Sequence, residues 1–489
     1  MHILSLSPVV LAAAYAASVA AAPASASVSA SASASQTSVT ASAAAATSAP
    51  APVSGSSVTG TTYDTGVSKY TFDDASYNYC QAAVPSCQTY KAVPNAKLEF
   101  VQLVVRHGDR TTEHVIPNED TTWTCDGVEE DIYLHGTKQP KQNTTGTVKQ
   151  VIEIPAWNKK TGFSNQIWKG SCESGQLTDR GKAQHHYLGT QLREIYVNRL
   201  KYLPSKLADP ESVYVRSTYV WRTKNSAESL LGGLWPDRGH DSTDAITLHT
   251  YPQSIETMFD NAGACPKITD LSNKITGSDQ FQQFLKEENA LMAKLNSNFG
   301  VSGSSWNGSW TGQLDVLMPR HCYGMKLPCN ATANNCPTDA DVAQTMRNAN
   351  FQYAFKYRDH PLAPKFTRLA IGSFLATLRD QVQDRIAGKI DKLKIAIYSG
   401  HDSTVAPILG VLKASNKDML WPPYASSLAF ELWKKTDGSR VIRAIYNGHT
   451  LQLQKGAEWC DLESCPVEKF AKYLEDYIPQ DIAAECSAK

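Results

Sequence analysis

The 489-residue sequence has no surplus of either charge, with 47 Lys and Arg against 47 Asp and Glu. A nucleic-acid binder needs a basic excess, and an acidic disordered activator needs the opposite, so neither finds support. The eleven cysteines include no Cys-x-x-Cys pair, which argues against a zinc site and for disulfides in an oxidising compartment. No GxGxxG or GxxxxGK loop occurs, so Gly232-Gly233 and Gly400 read as backbone punctuation and not as a nucleotide cradle. No apolar tail closes the sequence, so a GPI anchor is not expected.

What is present begins with residues 1–22, an Ala-rich apolar stretch ending in three alanines before Pro23, which reads as a cleaved signal peptide. Ala and Ser give it little lipid affinity, so stable membrane insertion is not expected. Residues 23–62 are almost wholly Ala, Ser, Thr, Pro and Val, too poor in apolar area to offset backbone entropy. They are expected to form a disordered, O-glycosylated stalk. Sequons at Asn143, Asn307 and Asn330 sit in polar contexts and are expected to carry glycans. The odd cysteine number leaves at least one thiol over, and Cys460 and Cys465 are close enough to bridge locally. The expected location is secreted or cell-wall associated, with a vacuolar or lysosomal compartment also compatible.

Three short apolar runs in the remainder each end abruptly in unusual polar residues. Residues 98–105 (LEFVQLVV) are long enough for a buried strand and too short for a helix, and stop at Arg106-His107-Gly108-Asp109-Arg110. Residues 212–215 end at Arg216, with Thr218 the expected N-cap of a helix reaching about Leu231. Residues 393–398 run into His401 and Asp402, followed by an apolar helical stretch. Each is a strand-to-loop-to-helix corner, and the carboxyl edge of an open parallel α/β sheet is where ligands bind.

Gathered at one edge, the corners offer Arg106, His107, Arg110, Arg216, His401 and Asp402. Three guanidiniums repel one another unless an anion sits between them, and their planar forks match phosphate oxygens. No metal or cofactor is needed to neutralise such a group, and no dense carboxylate cluster of the two-metal kind is visible. Surrounding positive charge would keep His107 unprotonated at mildly acidic pH, where an imidazole nitrogen can attack phosphorus. Asp402 is the carboxylic acid available to protonate the leaving alkoxide.

The ordered set RHGDR, RST at 216–218 and HDST at 401–404 resembles the histidine acid phosphatases. LTDRG at 177–181, PPYASSLAFELW at 422–433 and YNG at 446–448 extend the resemblance over roughly residues 98–465. It implies His107 as the phosphorylated nucleophile and Asp402 as proton donor, with Arg106, Arg110, Arg216 and His401 as the phosphate clamp. It also implies an α/β fold, a large doubly wound, mostly parallel sheet domain (residues 63–240 and 362–489) with a smaller, mainly helical inserted domain (241–361). Helical spacings at 279–298 and 339–357 fit that insertion, and 364–389 reads as a long helix returning to the sheet. Thr112 stands where many members have Pro, and Tyr219 and Trp221 where many have aspartates, which touches the pocket's rim and substrate choice.

The expected activity is metal-independent hydrolysis of small phosphomonoesters at acidic pH, with no nucleic-acid partner and homodimerisation left open. The alternatives are a phytase or a phosphoglycan phosphatase of the same family, or a non-catalytic phosphate-binding surface glycoprotein. Asp109 inside the nucleophile loop weighs against the phytase. His185-His186 lies on an amphipathic helix over about 178–200. Adjacent histidines point about 100° apart there, so a structural role outweighs a metal site. Glu113 and Asp120 could line the entrance, or simply be solvated. Residues 114–175 are legible only as a loop-rich insertion.

Overall fold

Along the first strand, Val101, Leu103 and Val105 enter one apolar core while Phe100 and Val104 enter another. That alternation is what a strand covered on both faces requires. The computed structural model describes residues 77–125, 129–134, 145–150, 169–207, 209–236, 246–330 and 332–487. All of these lie within one compact unit, and the expected signal peptide and stalk and Asn143 lie outside the described residues.

The main sheet contains β1 (Ala96–Arg106), β2 (Val213–Ser217), β3 (Leu248–Thr250), β4 (Ile395–Gly400), β5 (Ser427–Lys435), β6 (Arg440–Tyr446), β7 (His449–Thr450) and β8 (Cys465–Pro466). Its order is β7-β6-β5-β1-β4-β2-β3, with β8 also on β6. The half that carries the corners is parallel, and β5 and β6 extend it antiparallel. β4 is the last of the parallel strands in sequence but lies between β1 and β2. Arg106 is level with Gly400 and Ser217 with Ser399, so the three corners open at one edge. This α/β sheet is what the three strand-to-helix corners require.

Helices cover both faces. α1 (Asp179–Leu192), continued by a π-helical segment (Arg193–Arg199), packs with α2 (Trp221–Leu234) on the face lined by Val101, Leu103 and Val105. The N-cap of α2 is Val220, with no side-chain cap, so Thr218 does not cap this helix; its hydroxyl turns to the site. A helical stretch follows β3: α3 (Lys267–Thr276), α4 (Asp279–Glu287), α5 (Asn289–Phe299), α6 (Thr311–Cys322) and α7 (Asp339–Ala354). The helix expected over 279–298 is broken at Glu288 into α4 and α5. α8 (Ala363–Ile386) and α9 (Asp402–Val411) cover the other sheet face, and α10 (Val467–Glu475) packs beside α8.

Leu295, Phe299, Trp310 and Phe351 of the helical stretch share one core with Phe374 of α8, Tyr398 of β4 and Phe430 of β5. Within 114–175 the described residues form two small two-stranded sheets and the Cys125–Cys172 disulfide. Four further disulfides, Cys80–Cys322, Cys265–Cys486, Cys329–Cys336 and Cys460–Cys465, leave Cys87 as the free cysteine.

Candidate active site

The loop after β1 is held by backbone bonds. His107 N donates to Gly400 O at 2.9 Å, and Ala425 N donates to His107 O at 3.1 Å. Gly108 and Gly181 lie back to back: a Cβ on Gly108 would stand 2.4 Å from the Gly181 carbonyl oxygen, so both positions exclude a side chain. Asp109 is fully buried beneath the loop, accepting from Thr178 Oγ1 at 2.8 Å. Its carboxylate therefore faces the start of α1 and not the substrate side, and burial pushes it up to about 6. The charge it was expected to place against a polyanionic substrate is absorbed into the scaffold.

His107 Nδ1 lies 2.8 Å from Gly108 O. A carbonyl can only accept, so Nδ1 carries the proton and Nε2 keeps its lone pair. Burial and the charges of Arg222, Arg106 and Arg110 hold the ring well below its ordinary value. Its edge meets His401, with ring centroids 5.7 Å apart. His401 Nε2 lies 3.0 Å from Thr218 Oγ1, whose hydroxyl also meets Thr223 Oγ1 at 2.7 Å. Burial, then Arg222, pulls His401 down to about 3.

Asp402 opens α9. Its Oδ2 accepts from Trp421 Nε1 at 2.9 Å and lies 2.9 Å from Arg106 Nη2; its Oδ1 accepts from Ser403 N at 2.7 Å and Tyr353 Oη at 3.4 Å. Tyr353 of α7 stacks on Trp421, with ring centroids 3.5 Å apart. Burial pushes the Asp402 carboxyl up, but Arg106, Arg110 and the Trp421 bond outweigh it and hold it below its ordinary value.

Arg106 is tethered: Nη1 donates to Pro422 O at 2.5 Å and Nη2 to Tyr79 Oη at 3.0 Å. The rings of Tyr79 and Tyr424 flank its guanidinium at 5.0 Å and 4.5 Å. Arg110 Nη1 bonds Asp315 Oδ1 at 2.7 Å. The other Asp315 oxygen collects Thr112 Oγ1, Glu113 N, His114 N and His114 Nδ1, all within 2.9 Å. The hydroxyl at Thr112 thus ties the loop to α6.

Arg216 departs from the expected clamp. Its Nη2 bonds Glu256 Oε1 at 2.5 Å and Thr257 Oγ1 at 3.1 Å, and Tyr251 covers it at 3.6 Å. It lies on the sheet face of Phe374, and Arg222, not Arg216, leads the charges that act on His107 and His401. Arg222, in the first turn of α2, supplies the third guanidinium. Its Nη2 lies 2.6 Å from Glu113 Oε1, and Glu113 Oε2 lies 3.7 Å from Arg110 Nη2. The structure thus brings together Arg106, His107, Arg110, His401 and Asp402, with Arg222 near them and Arg216 turned to Glu256. Arg222 had a visible signal, a second arginine one helical turn past the strand end. Asp315, Tyr353, Trp421 and Tyr79 had none, since nothing in their local sequence marks them; Tyr424 lies in the PPYASSLAFELW segment, which gave it no role.

His185 is buried with Nε2 3.0 Å from Arg106 O, as its structural reading requires, and burial lowers it to about 4. Asn307 is exposed. Asn330 is half-buried inside the Cys329–Cys336 loop, and its Nδ2 donates to Ser297 O and Oγ at 3.2 Å, bonds a glycan there would have to replace.

A family model, the histidine phosphatase superfamily (branch 2), matches residues 97–447. Counting factor 60 of Dictyostelium discoideum is 27% identical over 420 residues, covering 84% of this chain and 92% of its own. Prostatic acid phosphatase of Homo sapiens is 27% identical over 411 residues, covering 81% and 89%. The solved structure of Hafnia alvei phytase in complex with tartrate matches with a TM-score of 0.54 at 17% identity, covering 81% of this chain and 100% of that one, which shows the shared fold. With the family's span running from β1 through the last corner, the chain belongs to the histidine phosphatase superfamily, branch 2, and is a phosphomonoester hydrolase of that type.

Proposed function

We propose that the chain is a secreted acid phosphatase that hydrolyses phosphomonoesters in two steps through a phosphohistidine on His107, without metal. The observation that carries the reading is the His107 Nδ1–Gly108 carbonyl contact. It leaves the Nε2 lone pair free inside a set of guanidiniums. In the first step Nε2 attacks phosphorus, the ester P–O bond breaks, and the departing oxygen takes a proton from Asp402. In the second, water attacks phosphorus, Asp402 accepts its proton, and the P–N bond breaks to release inorganic phosphate.

Arg106, Arg110, Arg222 and His401 serve as the clamp in this reading, and Arg216 supports the scaffold. Asp402 must be protonated to act as an acid, yet in the ligand-free site its guanidinium neighbours favour the carboxylate. A phosphoryl group offsets those charges as it binds and raises the carboxyl, which favours turnover at acidic pH. Secretion is supported by five disulfides, a pattern of oxidising compartments.

The test is to quench turnover of a radiolabelled phosphomonoester and look for an acid-labile, alkali-resistant phosphoramidate. It is expected on His107 and lost in His107→Ala, with turnover of an aryl phosphate lost in parallel. Robust turnover by that variant would overturn the reading, and activity abolished by a chelator would assign the chemistry to a metal.

A further inference from the structure

Two guanidiniums of the clamp already share an anion. Glu113 Oε1 lies 2.6 Å from Arg222 Nη2 and its Oε2 3.7 Å from Arg110 Nη2. Two oxygens of one group span two cations, as a phosphoryl group would. We propose that Glu113 is a specificity-determining residue: an internal competitor for the phosphate seat that swings out when substrate binds and leaves its charge at the rim. The inference rests on the reading of Arg110 and Arg222 as phosphate ligands.

Which parts can move follows from what holds them. The Glu113 backbone is pinned on both sides, its N–H donating to Asp315 Oδ2 at 2.9 Å and its carbonyl accepting from Ser174 Oγ at 3.2 Å. The side chain is 42% exposed, against 8% for Arg110 and 14% for Arg222. The carboxylate can therefore rotate into solvent more freely than the two more buried guanidiniums can. Arg110 is further fixed by its 2.7 Å bond to Asp315.

Two consequences follow. Exchanging one anion for another gains less than filling an empty pair of cations, so phosphate and phosphate esters bind more weakly than the arginines alone would allow. Once displaced, the carboxylate stays within one side-chain length of the seat and repels further anionic groups on the substrate. The site thereby favours singly phosphorylated esters over polyphosphorylated ones.

The experiment compares the wild-type full chain with Glu113→Gln and Glu113→Ala. It measures competitive inhibition by inorganic phosphate, KM for an aryl phosphate, and kcat/KM for inositol hexakisphosphate. The phosphate inhibition constant and KM should fall together by about two- to fivefold, the size expected for losing a solvent-accessible charge pair. The ratio of kcat/KM for inositol hexakisphosphate to that for the aryl phosphate should rise. An inhibition constant that stays constant or rises in either variant that unfolds at the wild-type temperature would overturn the proposal, since the carboxylate would then be orienting Arg222. If inorganic phosphate does not compete even in the wild type, the clamp reading itself fails; competition with unchanged constants defeats only the role of Glu113.

Discussion

Arg216 and Glu256 form a buried ion pair, with Nη2 and Oε1 2.5 Å apart and both side chains almost inaccessible to solvent. Glu256 Oε1 also accepts from Thr257 N and Met258 N, at 2.8 Å and 2.9 Å. The next residue, Phe259, meets the His401 ring edge-on at 5.9 Å. The arginine at the end of β2 thus orders the loop behind His401, and the arginine in the first turn of α2, Arg222, acts on His107 and His401.

Substituting the two arginines should therefore have different consequences. Arg222→Ala is expected to lower kcat/KM by about a hundredfold or more, as for loss of a preorganised charge stabiliser. Arg216→Met leaves Glu256 buried and uncompensated, so the larger effect should be on stability, about 3–5 kcal/mol in denaturant unfolding. Equal losses of activity in soluble, folded forms of both would contradict this division.

In the proposed mechanism Asp402→Asn removes the proton donor and keeps the shape. Hydrolysis of esters with poor leaving groups should fall much further than that of aryl phosphates with good ones. A plot of log kcat/KM against leaving-group pKa should steepen in the variant; parallel lines would remove Asp402 from the acid role.

Asp315 joins α6 to the loop after β1 through Arg110 and His114. The Asp315 bond raises His114 above its ordinary value, against the opposing effect of burial. Its stabilisation is present below the ordinary imidazole value, about 6.5, and is lost as pH rises through the raised folded value. In Asp315→Asn the His114 titration followed by NMR should move down, and KM should rise as Arg110 loses its partner. An unmoved His114 titration would show that the pair does not form in solution.

His185 is neutral in the fold, lowered by burial from 6.5 to about 4. The unfolded chain binds more protons between those values, so this contribution is complete above pH 6.5 and declines as pH falls toward 4. His401, lowered to about 3, acts in the same sense, and Asp109, raised to about 6, acts against it. His185→Gln keeps a donor for the Arg106 carbonyl and should flatten the loss of stability between pH 6.5 and 4. Denaturant titrations across that range check it, and an unchanged slope would mean His185 is not titrating there.

Much of the site is legible in the sequence because the corner residues are local. A short apolar run that stops at Arg106-His107 is a strand ending in chemistry, and the same logic finds His401-Asp402. The alternation of Phe100, Val101, Leu103 and Val104 is enough to indicate a strand covered on both faces. What holds these residues was not legible. Asp315 comes from a helix about two hundred positions beyond Arg110, and Tyr353 and Trp421 reach Asp402 from two further segments. None carries a local pattern that marks it.

By itself the sequence determined the three corners, the places of His107 and Asp402 at two of them, and the cysteine usage of an oxidising compartment, because each is written in adjacent residues or in composition. Only the tertiary structure set Arg216 and Arg222 in different surroundings. Side chains alternate between the two faces of a strand, and where β2 ends its last arginine lies on the face of Phe374, within reach of Glu256. A turn later the chain has become a helix whose start stands over the carboxyl edge of the sheet, and Arg222 is carried to the centre that His107 and His401 share.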